Sequence, residues 1–274
     1  MPLKQAHYVL GHTPVEQQRL IRQARFLAPA TEHFLDDAGV GPGMRVLDIG
    51  CGMGDVSMLL ARRVGPGGLV VSIDLDQASI DTARERARVA GFANTRFHRA
   101  DIATFRDAEP FDAIVGRLVL EFLPDPIAAI CQLSHLLRPD GVMALQEPSW
   151  KVWLAYTSHL PLRMAVTTLL RDTFVAGGVN TEMDLPLYQG FKAAGFNQPQ
   201  LRLELPVGDA PEFRGLLHDL LLAVWPRASS YGLPLATLGD PATLATRLDA
   251  ELNAHQAFAS FVALVGAFAR KPTG

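Results

Sequence analysis

The chain has 274 residues, 49% of them hydrophobic and 19% charged, with a formal net charge of −3. That balance excludes a disordered chain, and the lack of a long basic run argues against a nucleic-acid partner. Two cysteines, Cys51 and Cys131, are too few for a disulfide framework and suit a reducing compartment. Residues 1–10 carry no basic-then-apolar leader pattern and no run of 18 apolar residues occurs, so a cytoplasmic protein without a membrane partner is expected.

Thr13-Pro14-Val15-Glu16 predicts a helix start. Thr13 caps, Pro14 fits the first turn and Glu16 completes a capping box. Leu20, Ile21, Ala24 and Leu27 give this helix an apolar face. A second helix over residues 30–38 is expected to end at Gly39. Both precede the first strand, so residues 1–39 read as an N-terminal helical cap. Tyr8 stands just before them, and one reading is a surface aromatic packed on the first helix.

The β-branched run 45–49 predicts a buried strand. Gly50, Gly52 and Gly54 follow at alternate positions, and a helix starts near Val56. A sharp turn whose backbone must touch a ligand needs such glycines, and a helix N-terminus offers free N–H groups. The spacing is G-x-G-x-G followed by Asp55, rather than the dinucleotide pattern G-x-G-x-x-G. Asp48 lies inside the strand end. Carboxylates there repel a pyrophosphate and suit an ammonium or sulfonium.

The next elements alternate strand and helix. A second strand over 69–73 ends in Asp74, 20 residues after Gly54, where a carboxylate can accept from ribose hydroxyls. Asp76 reads instead as the cap of a helix lined by Ile80, Ala83, Ala87 and Ala90. A third strand over 95–98 leads to Asp101 and Ile102. A fourth, over 111–116, leads to Arg117. A helix over 127–137 and a fifth strand over 142–145 follow, ending at Gln146-Glu147-Pro148. This order predicts a parallel sheet with helices on both faces, with Asp48, Asp74, Asp101, Arg117 and Glu147 at five strand tips.

The last third is different. Trp150, Trp153 and Tyr156 cluster, helices are expected over 162–175, 185–194 and 241–252, and a strand over 201–205. Residues 211–225 form an amphipathic helix that ends at Trp225, before Pro226. Residues 258–268 read as a final strand.

The glycine run with its acidic neighbours resembles motif I of class I S-adenosylmethionine-dependent methyltransferases. The stretch from Phe111 to Pro126 resembles the segment after that family's fourth strand. The resemblance implies an α/β fold: a doubly wound, mostly parallel, seven-stranded sheet with an antiparallel seventh strand. The sheet carries the N-terminal helical cap and helical lid insertions. Residues 40–274 would be the methyltransferase domain, with lid segments at 148–184 and 206–257. It also implies S-adenosylmethionine as donor and S-adenosylhomocysteine as product. Asp48, Gly50, Cys51, Gly52 and Gly54 fall in the donor-binding motif, Asp74 and Leu75 beside the ribose, and Asp101 and Ile102 beside adenine. Arg117 falls at the methionine moiety, over which Tyr8 would close.

The expected activity is methyl transfer to a small, largely apolar or aromatic molecule. Trp150, Trp153, Tyr156 and Trp225 are the substrate candidates. An oxygen acceptor needs a base, and His159, His218, His255 and Glu121 are the candidates. No spacing resembles a metal site, so no metal is expected. No G-x-S-x-G elbow occurs. The alternatives are a cyclase or isomerase that keeps the donor without methylating, a nicotinamide-dependent oxidoreductase, and a non-catalytic donor-binding protein. The sequence leaves the oligomeric state open, a homodimer being one option.

Overall fold

The computed structural model describes residues 14–273. The expected pair of N-terminal helices is one helix, α1 (Pro14–Asp37), with Pro29 inside it. An interior proline costs about 3 kcal/mol. Leu27, Phe34 and Leu35 are almost wholly buried on either side of it, and their shared burial carries the helix across.

The strands β1 (Arg45–Ile49), β2 (Leu69–Asp74), β3 (Thr95–Arg99), β4 (Phe111–Arg117) and β5 (Leu137–Pro148) run parallel. The sheet has seven strands. Beyond β5 lie the C-terminal strand β9 (Leu264–Arg270), antiparallel to it, and the edge strand β6 (Gln200–Glu204). The two-residue strands β7 (Val207–Gly208) and β8 (Ala259–Ser260) pair separately. β1 reads as a near-continuous apolar run because both of its faces are covered. Val46, Leu47 and Ile49 are fully buried.

Three boundaries differ from expectation. α4 (Pro126–Ser134) is shorter and β5 starts at Leu137. Phe111 pairs with Leu137 and Ala113 with Val142, so the register shifts and Pro139 sits in the irregularity, where a proline takes no ladder bond away. The amphipathic segment is a short helix α8 (Pro211–Arg214) and then α9 (Leu216–Ser230), which passes through Pro226. Val224 and Ala228 are both wholly buried, so the apolar face continues past the proline. The expected final strand divides into β8 and β9, because residues 261–263 leave the ladder.

The remaining helices α2 (Asp55–Val64), α3 (Gln77–Val89), α5 (Trp150–Thr157), α6 (Pro161–Ala176), α7 (Asp184–Ala193) and α10 (Pro241–Ala254) complete the fold. One face of the sheet packs on residues of α4 and α7, the other on α2 and the second half of α1. A third core joins Trp150, Trp153, Leu170, Leu217, Leu221 and Leu248 with Phe261, and so lies largely beyond the sheet. The strand order β3-β2-β1-β4-β5 reverses direction between β1 and β4. Ligands of open α/β sheets sit at that switch, beyond the strands' carboxyl ends. Among the described residues no helix is long and apolar enough to cross a membrane.

Candidate active site

The turn after β1 is held by backbone and by one carboxylate. Asp74 accepts from the Gly52 N–H through Oδ2 and from the Asp76 N–H through Oδ1, each at 2.9 Å. Gly50 has φ +60°, and a Cβ there would meet Val119, 2.8 Å from its Cβ and closer still to Cγ2. Gly52 has φ +50°, and among the described residues nothing lies within 4 Å of a Cβ position there. The loop is therefore tight on the protein side at Gly50 and open at Gly52, the shape of a cradle for a ligand.

A cavity of about 920 Å³, counting its mouth, opens over this loop. At one end lie Gly50, Cys51, Gly52, Met53, Asp55 and Arg117. At the other lie Glu121, Phe122, Trp150, Trp153, Phe174 and Phe261. Leu20, Gln23 and Ala24 of α1 and Leu220 of α9 wall it. Arg22 pairs with Asp219 at 3.1 Å, tying α1 to α9. Leu118, also in the wall, has φ +58°, a conformation costly for a residue with a side chain.

Charge is concentrated at the two ends. Arg117 donates to Thr31 Oγ1 at 3.0 Å. Burial lowers its pKa, opposed by the charges of Asp55 and Asp48. Asp55 pairs with Arg86 at 2.7 Å. Glu147 is fully buried, and its carboxylate accepts from the backbone N–H groups of Val119, Leu120 and Glu121 at 3.2, 2.9 and 3.2 Å. Burial pushes Glu147 up to about 7 against those bonds. Glu121 is raised well above the ordinary carboxyl range by burial and then by the Glu147 charge. Three backbone donors favour charge on Glu147.

The sequence profile of a methyltransferase domain matches residues 41–177, half of the chain. The chain belongs to the methyltransferase-domain family. It is 34% identical over 124 residues to the nocamycin O-methyltransferase of Saccharothrix syringae, covering 45% of this chain and 44% of that protein. The chain spans about half the length of the curated relatives it matches. The fold is shared with a protein from Bacillus halodurans (TM-score 0.59, 15% identity, 88% of this chain and 98% of that one). It is shared also with the [4+2]-cyclase SpnF (TM-score 0.55, 18% identity, 90% and 82%).

As a member of this family, the chain brings several predicted residues to one cavity. Gly50, Cys51, Gly52, Arg117, Glu121, Trp150 and Trp153 line it. Gly54 is buried below the loop and starts α2 with φ +81°. Asp74 holds the loop, Leu75 is 45% exposed at the β2 tip, and Asp101 is exposed while Ile102 is buried. Asp48 stands apart from the cavity wall. It is buried, accepts from Ser57 Oγ at 2.5 Å, and burial pushes it up to about 7. Asp76 caps α3 by accepting from the Ser79 N–H at 2.8 Å. Tyr8 lies outside the described residues.

His159 and His255 are exposed and His218 half-buried, and none of the three lines the cavity. Tyr156 and Trp225 also lie outside its wall. Tyr156 packs instead on His159 and Phe258. Sequence reasoning did not single out Phe174, Leu220, Phe261 or Gln23. Each sits in an ordinary amphipathic or apolar run, and only tertiary packing turns it toward the cavity.

The donor set fits S-adenosylmethionine. A glycine cradle open at Gly52, a strand-tip carboxylate at Asp74, and Asp55 at the rim suit an uncharged nucleoside joined to a cationic group.

Proposed function

We propose that this chain is an S-adenosylmethionine-dependent methyltransferase acting on a small, largely apolar or aromatic molecule. One observation carries the reading. A single cavity runs from the glycine cradle of β1 to an aromatic box, so donor and acceptor can share it.

S-adenosylmethionine, when bound, supplies an electrophilic methyl group on a sulfonium. Gly50, Cys51, Gly52 and Asp74 hold the nucleoside end, with Asp101, Ile102 and Leu75 along the neighbouring strand tips. Arg117 takes a carboxylate at the methionine end. The apolar wall excludes water, which strengthens every polar contact made inside it. With the donor already activated, positioning supplies much of the rate. Of the four candidate bases, Glu121 is the one in the cavity wall, where an oxygen acceptor would hand over its proton. Residues 1–39 act as a cap and segments 148–184 and 206–257 as a lid over the acceptor. A small-molecule acceptor is what the family resemblance implies, and the composition favours a cytoplasmic setting without a nucleic-acid partner.

Calorimetry with S-adenosylmethionine, followed by detection of S-adenosylhomocysteine from a panel of aromatic acceptors, tests this. Binding with turnover supports it. Tight binding without turnover on any acceptor favours a cyclase or isomerase that keeps the donor, and no binding removes both. SpnF shares the fold only, so its chemistry does not decide between them.

A further inference from the structure

Three residues of the cavity wall each carry a buried polar atom with no hydrogen-bond partner among the described residues: Glu121 Oε2, Trp150 Nε1 and Trp153 Nε1. Their residues are 4%, 2% and 0% exposed. Buried polar groups of folded proteins are nearly always paired, and a cluster of exceptions in one cavity calls for a reason. The Trp150 indole is close enough to Glu121 to oppose its rise in pKa, yet neither atom completes a bond with the other. The Trp150 and Trp153 rings are 5.6 Å apart, so one small ligand spans both. Phe174 lies 5.2 Å from Trp150 and Phe261 5.4 Å from Trp153.

The three orphan groups define a complement. Two are donors that cannot accept, and the third is a carboxyl oxygen that can accept. A hydroxyl offers one hydrogen and two lone pairs, which matches that set. The surrounding rings favour a flat unsaturated partner over an aliphatic one. A ligand carboxylate would add charge to a desolvated end that already holds Glu147, and like charges in such a place are costly.

We infer that Glu121, Trp150 and Trp153 recognise the acceptor as an uncharged phenol or enol, its O–H donating to Glu121 Oε2 and its oxygen accepting from the indole N–H groups. This rests on the cavity being the acceptor site of a methyltransferase. It adds the class of acceptor, and it removes carboxylate-bearing acceptors from this end of the cavity.

The test uses the full chain saturated with S-adenosylhomocysteine and three calorimetric probes. They are 1-naphthol, 1-methoxynaphthalene, which lacks the donor hydrogen, and 1-naphthoate, which adds a charge. The expected result is 1-naphthol binding at least about tenfold more tightly than either other probe, the scale of one buried hydrogen bond. In Glu121→Leu the naphthol and its ether should come within about threefold of each other. The Trp150→Phe/Trp153→Phe double variant should weaken both together, since both offer an oxygen to the indoles. Equal binding of naphthol and ether by the unmodified chain, no naphthol binding, or tight naphthoate binding overturns the assignment, as does a naphthol preference that survives Glu121→Leu. The unmodified chain decides the matter even if the variants do not fold. Failure of S-adenosylhomocysteine to bind at all is a separate result, and it removes the methyltransferase reading underneath.

Discussion

Substituting Gly50 by alanine tests the geometry on which the donor cradle depends. Two costs add. At φ +60° an L side chain carries left-handed strain of about 1–2 kcal/mol. The new Cβ would also press on Val119, 2.8 Å from its Cβ and nearer to Cγ2. Overpacking of that kind costs about 1–3 kcal/mol. The sum, about 2–5 kcal/mol, should lower the melting temperature by roughly 5–15 °C for a chain of this size.

A double-mutant cycle separates the two costs. Val119→Gly removes every atom that the new methyl meets at that position, so Gly50→Ala should be cheaper in its background by about 1–3 kcal/mol. The residue of about 1–2 kcal/mol is the backbone strain, which Val119→Gly cannot relieve. Urea denaturation of the four proteins reads both. A Gly50→Ala protein within about 0.5 kcal/mol of the parent, or no coupling between the two positions, would refute the reasoning.

Three further outcomes are expected. Asp48→Asn should change how stability depends on pH. Burial lifts the Asp48 pKa from 3.8 to about 7, so its contribution is complete below about pH 4 and is lost as pH rises through 7. The variant should show a flatter decline across that window in denaturation experiments, and parallel curves would contradict the shift. Asp74→Ala should weaken S-adenosylhomocysteine binding by about 1–3 kcal/mol in calorimetry, through a freed Gly52 N–H and a lost ribose acceptor; unchanged affinity removes Asp74 from the site. Leu220→Ala, in the cavity wall, should cost about 2–4 kcal/mol of stability and raise the acceptor KM more than the donor Kd. Equal effects on both would make α9 general support.

What could be read from the sequence was what local chemistry dictates. The glycine turn between a β-branched strand and a helix announces itself, since few other residues accept that backbone. The alternation of strands and helices from Arg45 to Leu145 carried the parallel sheet, and Asp76 was legible as a cap because capping is a three-residue affair. Prolines misled. A helix break was expected before residue 30 and a helix end before Pro226, yet Pro29 and Pro226 each lie inside a helix because buried residues on both sides continue one apolar face. Pro139 sits in a strand for the opposite reason, at an irregularity where no bond is lost.

The acceptor end was less legible. Glu121 differs from any surface glutamate only through its burial beside Glu147, 26 residues away, and that proximity belongs to the β4–β5 pairing. Trp150 and Trp153 were singled out for their concentration. That their N–H groups lack partners among the described residues is a fact of three-dimensional packing alone.

The most direct test of the account is a crystal structure of the full chain with S-adenosylhomocysteine. The account predicts the nucleoside lying along Gly50–Gly52, with its ribose at Asp74 and its sulfur turned toward Glu121 and the tryptophans. A ligand bound elsewhere, or an empty cradle at saturating concentration, would contradict it.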